Sequence, residues 1–336
     1  MKKGFFTYII FCFALVMFVS CGPSPEAIAT MTAAAWTPTP EPTLTPTPMP
    51  FDLEVRVEGE AGESVTYGAY VATTGHEEVM LEDSGMVELL NLPGPEVEVS
   101  VRAQGYKPYT ETVNLEHGKN QTTLSLTADP LQVNPATACQ EGQKILFIED
   151  FEDGEAQGWN DLARPAWSFG KSEEFGTNLS VYVPGEVGST NFPGEFANAV
   201  WHFSLQTGAN PIDLHINWHT FENEEGGGRY FLVYDPNRHI QLHYMKPGEG
   251  RELYSKGGAL GEPNIWQDIS FAFFDGALDA YINDELIAGV NHENGIESGG
   301  LGFIVTDNSE PIAFDNMVVC ELNSPYTPTV VEEAVE

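Results

Sequence analysis

Between Phe147 and Trp159 the chain reads FIEDFEDGEAQGW, with carboxylates at Glu149, Asp150, Glu152, Asp153 and Glu155. Carboxylates so spaced serve as an acid/base pair, as hard oxygen ligands for a cation, or as solvated charge. A second group of chemistry-bearing residues follows. DLHINWH and HIQLH place His215, Asn217 and His219 on one face of a strand, and His239, Gln241 and His243 on one face of another, because successive strand side chains alternate. The opposite positions, Ile212, Leu214, Ile216 and Trp218 with Ile240, Leu242 and Tyr244, read as core. His202, in VWHFS, is expected to join the same polar face.

Three uses of such a face compete. Zinc is geometrically awkward, since residues i and i+4 of a strand stand about 13 Å apart and zinc takes its ligands at about 2 Å. Only cross-strand pairs would serve. A solvated outer sheet face needs no ligand at all. A polar groove for sugar is the third use, with amides and imidazoles bonding hydroxyls and Tyr230, Tyr234, Trp266 or Tyr281 stacking on the rings.

The elements that carry these residues are strands. Residues 139–322 hold ten alternating or apolar runs, among them KILFIEDF, AVWHFSL, YFLVYD, LGFIVTD and AFDNMVVCEL, parted by Gly, Asn, Asp and Pro clusters and without a helix-period stretch. That count predicts an all-β, two-sheet sandwich or jelly roll. In WQDISFAFFDGALDAYINDELI, Asp275-Gly276 and Asn283-Asp284 mark two tight hairpin turns. Residues 51–128 form a smaller β unit, in which DLEVRVEG, EVEVSVRAQGY and TTLSLTAD alternate.

The WQDISFAFFDGALDAYINDELI hairpin resembles that of the concanavalin A-like lectin and glucanase superfamily, LamG-like domains included. DFEDGEAQGW and IAFDNMVVCEL resemble its terminal strands, so the likeness spans most of residues 145–322. It implies a jelly roll that binds glycans or cleaves them. Family-16-like glucanases carry Glu-x-Asp-x-Glu on one strand, which sets acid and nucleophile on one face for a retaining mechanism; this chain contains no Glu-x-Asp. A hydrolase with another acid pair, similar to the 3-keto-disaccharide hydrolases, stays open. The resemblance also implies a structural calcium between the first and last strands, here held by Asp150, Glu152 and Asp315, with Asp153 and Gly154 supplying the turn. Solvated charge is the competing reading for that run. VSVRAQGYKPYTETVNLEHGKNQTTLSLTAD resembles the second half of PEGA and carboxypeptidase-regulatory-like modules, small β-sandwiches used as spacers or binding accessories.

The ends of the chain and its charge set the compartment. Lys2 and Lys3 precede an apolar run from Phe5 to Val19, too short for a typical spanning helix and suited to a signal peptide over residues 1–20. FVSC followed by Gly22 resembles a bacterial lipobox, which implies lipidation of Cys21 and a membrane partner through its acyl chains. Residues 21–50 end in TPTPEPTLTPTPMP, a polyproline-type stalk, and residues 323–336 read as a disordered tail. The two remaining cysteines, Cys139 and Cys320, bracket the larger unit and read as a disulfide in an exported protein. With 14 Lys+Arg against 50 Asp+Glu, a net charge of −36 excludes a phosphate-backbone partner. The expectation is an exported, lipid-anchored surface protein that presents a non-catalytic carbohydrate- or ligand-binding jelly roll. A glycoside hydrolase and a structural or adhesive surface protein are the alternatives.

Overall fold

The computed structural model describes residues 49–328, apart from 82–83, 161, 163–165, 174–175, 184, 186, 211, 224–225, 236–238, 259–261 and 307. The expected signal peptide, Cys21, nearly all of the stalk, and tail residues 329–336 lie outside the described residues.

Seven strands build the small unit: β1 (Phe51–Gly59), β2 (Tyr70–Thr73), β3 (Val79–Met80), β4 (Met86–Leu92), β5 (Glu96–Arg102), β6 (Tyr109–Asn114) and β7 (Gly118–Leu126). They form a three-stranded sheet, β4-β1-β7, and a four-stranded sheet, β3-β2-β5-β6. The alternation in β1 and β5 sends Leu53, Val55 and Val57 against Val97, Val99 and Val101, and these close a core of their own.

The larger unit begins with β8 (Ile145–Glu149), β9 (Trp167–Ser172), β10 (Gly176–Val181), β11 (Val187–Phe196), β12 (Ala199–Gln206), β13 (Asp213–Asn223) and β14 (Gly226–Asp235). It continues with β15 (His239–Lys246), β16 (Glu249–Gly257), β17 (Trp266–Phe274), β18 (Ala277–Ile282), β19 (Glu285–Asn291), β20 (Gly299–Thr306) and β21 (Ile312–Glu321). One sheet runs β19-β18-β17-β12-β21-β10-β9, with β8 also paired to β21; the other runs β11-β20-β13-β14-β15-β16. Every pairing within the two sheets is antiparallel. This is an all-β jelly-roll sandwich following a small β-sandwich, as the strand pattern predicts. The two sheets bury an aromatic core in which Trp201 stacks 6.0 Å from Trp218 and Phe303 lies 4.1 Å from Phe314.

The two hairpin turns are present where expected. Asp275 (φ 47°) with Gly276 (φ 84°), and Asn283 (φ 49°) with Asp284 (φ 63°), put two consecutive residues in the left-handed region. That backbone matches the twist of the strands it joins, β17 to β18 and β18 to β19.

Cys139 and Cys320 are bonded, with Cα atoms 5.8 Å apart. Cys320 lies on the last strand as expected, whereas Cys139 lies in the segment that precedes β8. That segment and the chain after β21 cover the outer face of the larger sheet: Val133, Ala138 and Cys139 pack with Val200, Val318, Leu322 and Tyr326. Residues 323–328 therefore belong to the packed body. Tyr326 is only 8% exposed, and Thr327 O accepts from Gln140 Nε2 at 2.8 Å.

Candidate functional site

The outer face of the six-stranded sheet is built from rows of directly paired residues. One row runs Asn191, Gly302, Asn217, Phe231, His243 and Glu252; the next runs Ser189, Ile304, His215, Val233, Gln241 and Ser255. The core-facing positions between them, Leu214, Ile216, Trp218, Ile240, Leu242 and Tyr244, are all buried, which fixes the opposite face outward. His215, Asn217, Gln241 and His243 thus share one face, as alternation predicts. His239, paired with Asp235, stands at the end of the same strand.

A cavity of about 510 Å³ opens on this face, lined among others by Asn160, Asn191, Asn217, Thr220, Arg229 and Ile304. Gly302 separates Asn191 from Asn217 in their row, so no side chain fills the space between the two amides. Asn217 is 4% exposed and its Oδ1 has no partner; Thr220 Oγ1 and Arg229 Nε are likewise buried without one. Beside the cavity Phe231 is flanked by two parallel imidazoles, His215 at 5.0 Å and His243 at 4.9 Å, with the Arg229 guanidinium 5.0 Å from its ring. Burial holds both imidazoles below their ordinary pKa. His215 Nε2 lies 3.1 Å from Asp213 Oδ1, and Gln241 Nε2 donates to Glu252 Oε2 at 3.0 Å. Among the described residues the cavity lining carries no carboxylate.

Two expected members are elsewhere. His219 is fully buried: its φ of 52° marks a bulge that shifts register against both β14 and β20, so Trp218 and His219 both turn into the core. There its Nδ1 and Nε2 face the carbonyls of Ile296 and Ala197 at 2.9 and 3.3 Å. His202 lies on β12, in the other sheet, with Nδ1 2.8 Å from Ser270 Oγ and the Tyr326 ring 5.3 Å away. Tyr230 and Tyr234, named as stacking candidates, are fully buried and face the core. Among the described residues, the face presents Phe231 as an aromatic and Arg229 as a cation at the cavity. Phe231 follows from alternation within YFLVYD, and Arg229 from extending that alternation back toward the glycines, a step that GGGRYFLVYD obscures because Gly-rich runs read as loop.

The acidic run of the opening occupies a different place. β21 pairs with β10 through Phe314 and with β8 from Met317 onward, which leaves Asp315 in the gap between the two partners. Asp315 is fully buried; Asn316 N donates to its Oδ1 at 2.7 Å, and its Oδ2 has no partner. Burial, and then the charges of Asp150, Glu152 and Glu149, push its pKa up to about 8 against the pull of that N–H. Asp150 and Glu152 do not share a strand face, because β8 ends at Glu149 and Phe151 takes a φ of 55°. The turn is present, however, with Gly154 N donating to Phe151 O at 2.9 Å. Most of the other carboxylate oxygens already accept hydrogen bonds: Asp150 Oδ2 from Gln104 Nε2 and Val133 N, Glu152 Oε1 from Thr177 N, and Glu149 from Phe151 N and Gln157 N. Among the described residues no three His, Cys, Asp or Glu side chains are grouped closely enough to hold a metal ion.

No family model matches the chain, and no curated protein matches it. Solved structures do. It is similar to a carbohydrate-binding module, CBM66, from Bacillus subtilis, at 11% identity over 48% of this chain and 93% of that one, with a TM-score of 0.37. It is similar to a protein of unknown function with a galectin-like fold from Bacillus subtilis, at 11% identity over 53% and 97%, with a TM-score of 0.43. A Bacillus licheniformis β-glucanase matches at 12% identity over 55% and 100%, with a TM-score of 0.39. At such scores what those proteins bind or cleave is not carried over to this chain.

Proposed function

We propose that the chain is an exported, lipid-anchored protein whose six-stranded sheet offers a non-catalytic groove for a glycan. The observation that supports this most is Asn217, whose Oδ1 is buried beside the cavity and unpartnered. A buried polar atom left unmade costs about 1–3 kcal/mol, and a sugar hydroxyl donating to it would recover that cost. Neighbouring amides and hydroxyls extend the set. Binding is favoured over hydrolysis because acid/base cleavage needs two carboxylates across the scissile bond, and two of the described carboxylates on this face, Asp213 and Glu252, already serve His215 and Gln241.

A glycan array probed with the full chain, paired with reducing-end analysis, tests the reading. Expected is binding without release of reducing ends, weakened about tenfold in Asn217→Ala by the loss of one buried hydrogen bond. Release of reducing ends makes the protein a hydrolase. Silence across the array removes the glycan reading and leaves a structural or adhesive role. Anchoring is tested separately, since Cys21→Ser should leave the membrane fraction.

The carboxylate cluster supports a second proposal, a structural calcium at Asp315, Asp150 and Glu152. The orphaned Oδ2 of Asp315, among charges that repel it, is what favours a cation. Hard oxygen ligands at 2.3–2.6 Å suit calcium. The carboxylates would have to draw together around it, with Asp150 and Glu152 yielding some of their present donors.

A further inference from the structure

We propose that the groove takes a glycan bearing a single anionic group, a carboxylate or sulfate ester seated on Arg229. The inference rests on the glycan reading and names the class of sugar.

Cations are scarce in a chain with 14 Lys+Arg against 50 Asp+Glu, and each of the other described arginines is paired with a glutamate. Arg56, Arg102, Lys119 and Arg251 each lie within 4 Å of a glutamate. Arg229 has no such partner among the described residues, its Nε is buried without a hydrogen bond, and burial holds its pKa below the ordinary guanidinium value. It is nonetheless held in place, by its strand and by the face of Phe231.

A half-buried guanidinium without a counter-ion is an unmade interaction. Its planar fork of N–H donors matches two oxygens of a carboxylate or sulfate, and such charge-assisted bonds are roughly twice as strong as neutral ones. Among the described residues, the surroundings leave that role to the ligand. The lining is amide, hydroxyl and aliphatic; Asp213 is engaged by His215 and by Thr306 Oγ1 at 2.7 Å; Glu252 is engaged by Gln241. His215 and His243 are held toward their neutral forms and add no lasting charge. Among the described residues the cavity is lined by one fixed cation, which suits one anionic sugar among neutral ones. A polyanion would meet the remaining charge of a −36 chain, which salt screens only beyond about 8 Å.

The test uses the full chain on an array of matched glycan pairs that differ only in one acidic group. One arm sets glucuronic-acid-substituted xylotetraose against xylotetraose, and another sets sulfated against unsulfated lactose. Leading pairs are then measured by calorimetry. Expected is at least tenfold tighter binding of the acidic member in one arm, with the responding arm identifying carboxylate or sulfate. Arg229→Gln should bring the two members within about threefold of each other, and Arg229→Lys should keep part of the gap. Thermal unfolding checks that Arg229→Gln folds, and its unfolding temperature should equal or exceed that of the wild type. Equal binding of both members, lost in Asn217→Ala, would overturn the anionic proposal and leave the glycan reading standing. A preference that survives Arg229→Gln would overturn it too, and no binding anywhere removes both readings.

Discussion

Gln104 of the small sandwich donates its side-chain amide to Asp150 Oδ2 at 2.5 Å, and the Val133 N–H donates to the same oxygen at 2.9 Å. The small sandwich and the segment after it thus satisfy a carboxylate of the jelly roll that is only 6% exposed. Burial raises the pKa of Asp150 while these two donors lower it. Gln104→Ala leaves that oxygen with the Val133 amide alone. Hydrogen bonds to charged groups contribute about 1.5–3 kcal/mol, so denaturant unfolding of Gln104→Ala should show a loss in that range. A loss within error of zero would mean that the contact does not hold the two sandwiches together.

Asp315 and calcium make the next prediction. If calcium binds only the folded state, a hundredfold excess over Kd adds about 2.7 kcal/mol of stability, so the unfolding temperature should rise with calcium and fall with chelator. Asp315→Asn keeps the shape and removes the repelled charge. At pH above 8 and without calcium it should therefore be at least as stable as the wild type, while its response to calcium disappears. A variant less stable than the wild type in chelator, or one that still responds to calcium, would contradict the proposal.

How far the sequence carries depends on how local each feature is. Central strands such as β12, β13, β15 and β17 are legible because alternation repeats over many residues, and the Asp275-Gly276 turn because few residues accept its backbone. The four strands of the jelly roll that alternation does not reveal, β9, β11, β16 and β19, are the outer strands of the two sheets. Edge strands bury less and carry the Gly, Pro and charge that read as loop, as in VGSTNFPGEF and EGRELYSKG. His202 looks equivalent to His215 in sequence; which sheet each joins is set by strand order, a non-local property. The shared face expected for Asp150 and Glu152 fails because alternation needs an uninterrupted strand, and Phe151 interrupts it.

The bulge at His219 yields a third prediction. A Cβ built on Gly299 would stand 2.4 Å from the carbonyl carbon of His219 and 2.7 Å from its oxygen, backbone atoms that cannot swing aside. Gly299→Ala must displace the bulge, and overpacking of this kind costs about 1–3 kcal/mol. Gly257→Ala, where a Cβ would meet nothing within 4 Å, serves as the control. Equal unfolding midpoints for the two variants would show that the close approach at Gly299 carries no cost.

The buried imidazole in that bulge gives the last prediction, a pH dependence with a definite sign. Burial pulls the pKa of His219 down to about 4 from the ordinary 6.5, although the Ile296 and Ala197 carbonyls pull the other way. Between those two values the unfolded chain binds a proton that the folded chain refuses, so stability must rise with pH there and be lost as pH falls from 6.5 toward 4. One pKa unit corresponds to about 1.4 kcal/mol, so the full span is worth about 3 kcal/mol. His219→Asn is the variant of choice because asparagine tolerates the left-handed backbone of the bulge. The stability of the wild type minus that of His219→Asn should stay level above pH 7 and fall on acidification, which denaturant midpoints across pH 4–8 would record. The subtraction cancels titrations common to both proteins, the carboxylates around Asp315 included. A difference flat across the whole range would mean that His219 titrates alike in the folded and unfolded chains, and that the bulge does not bury it.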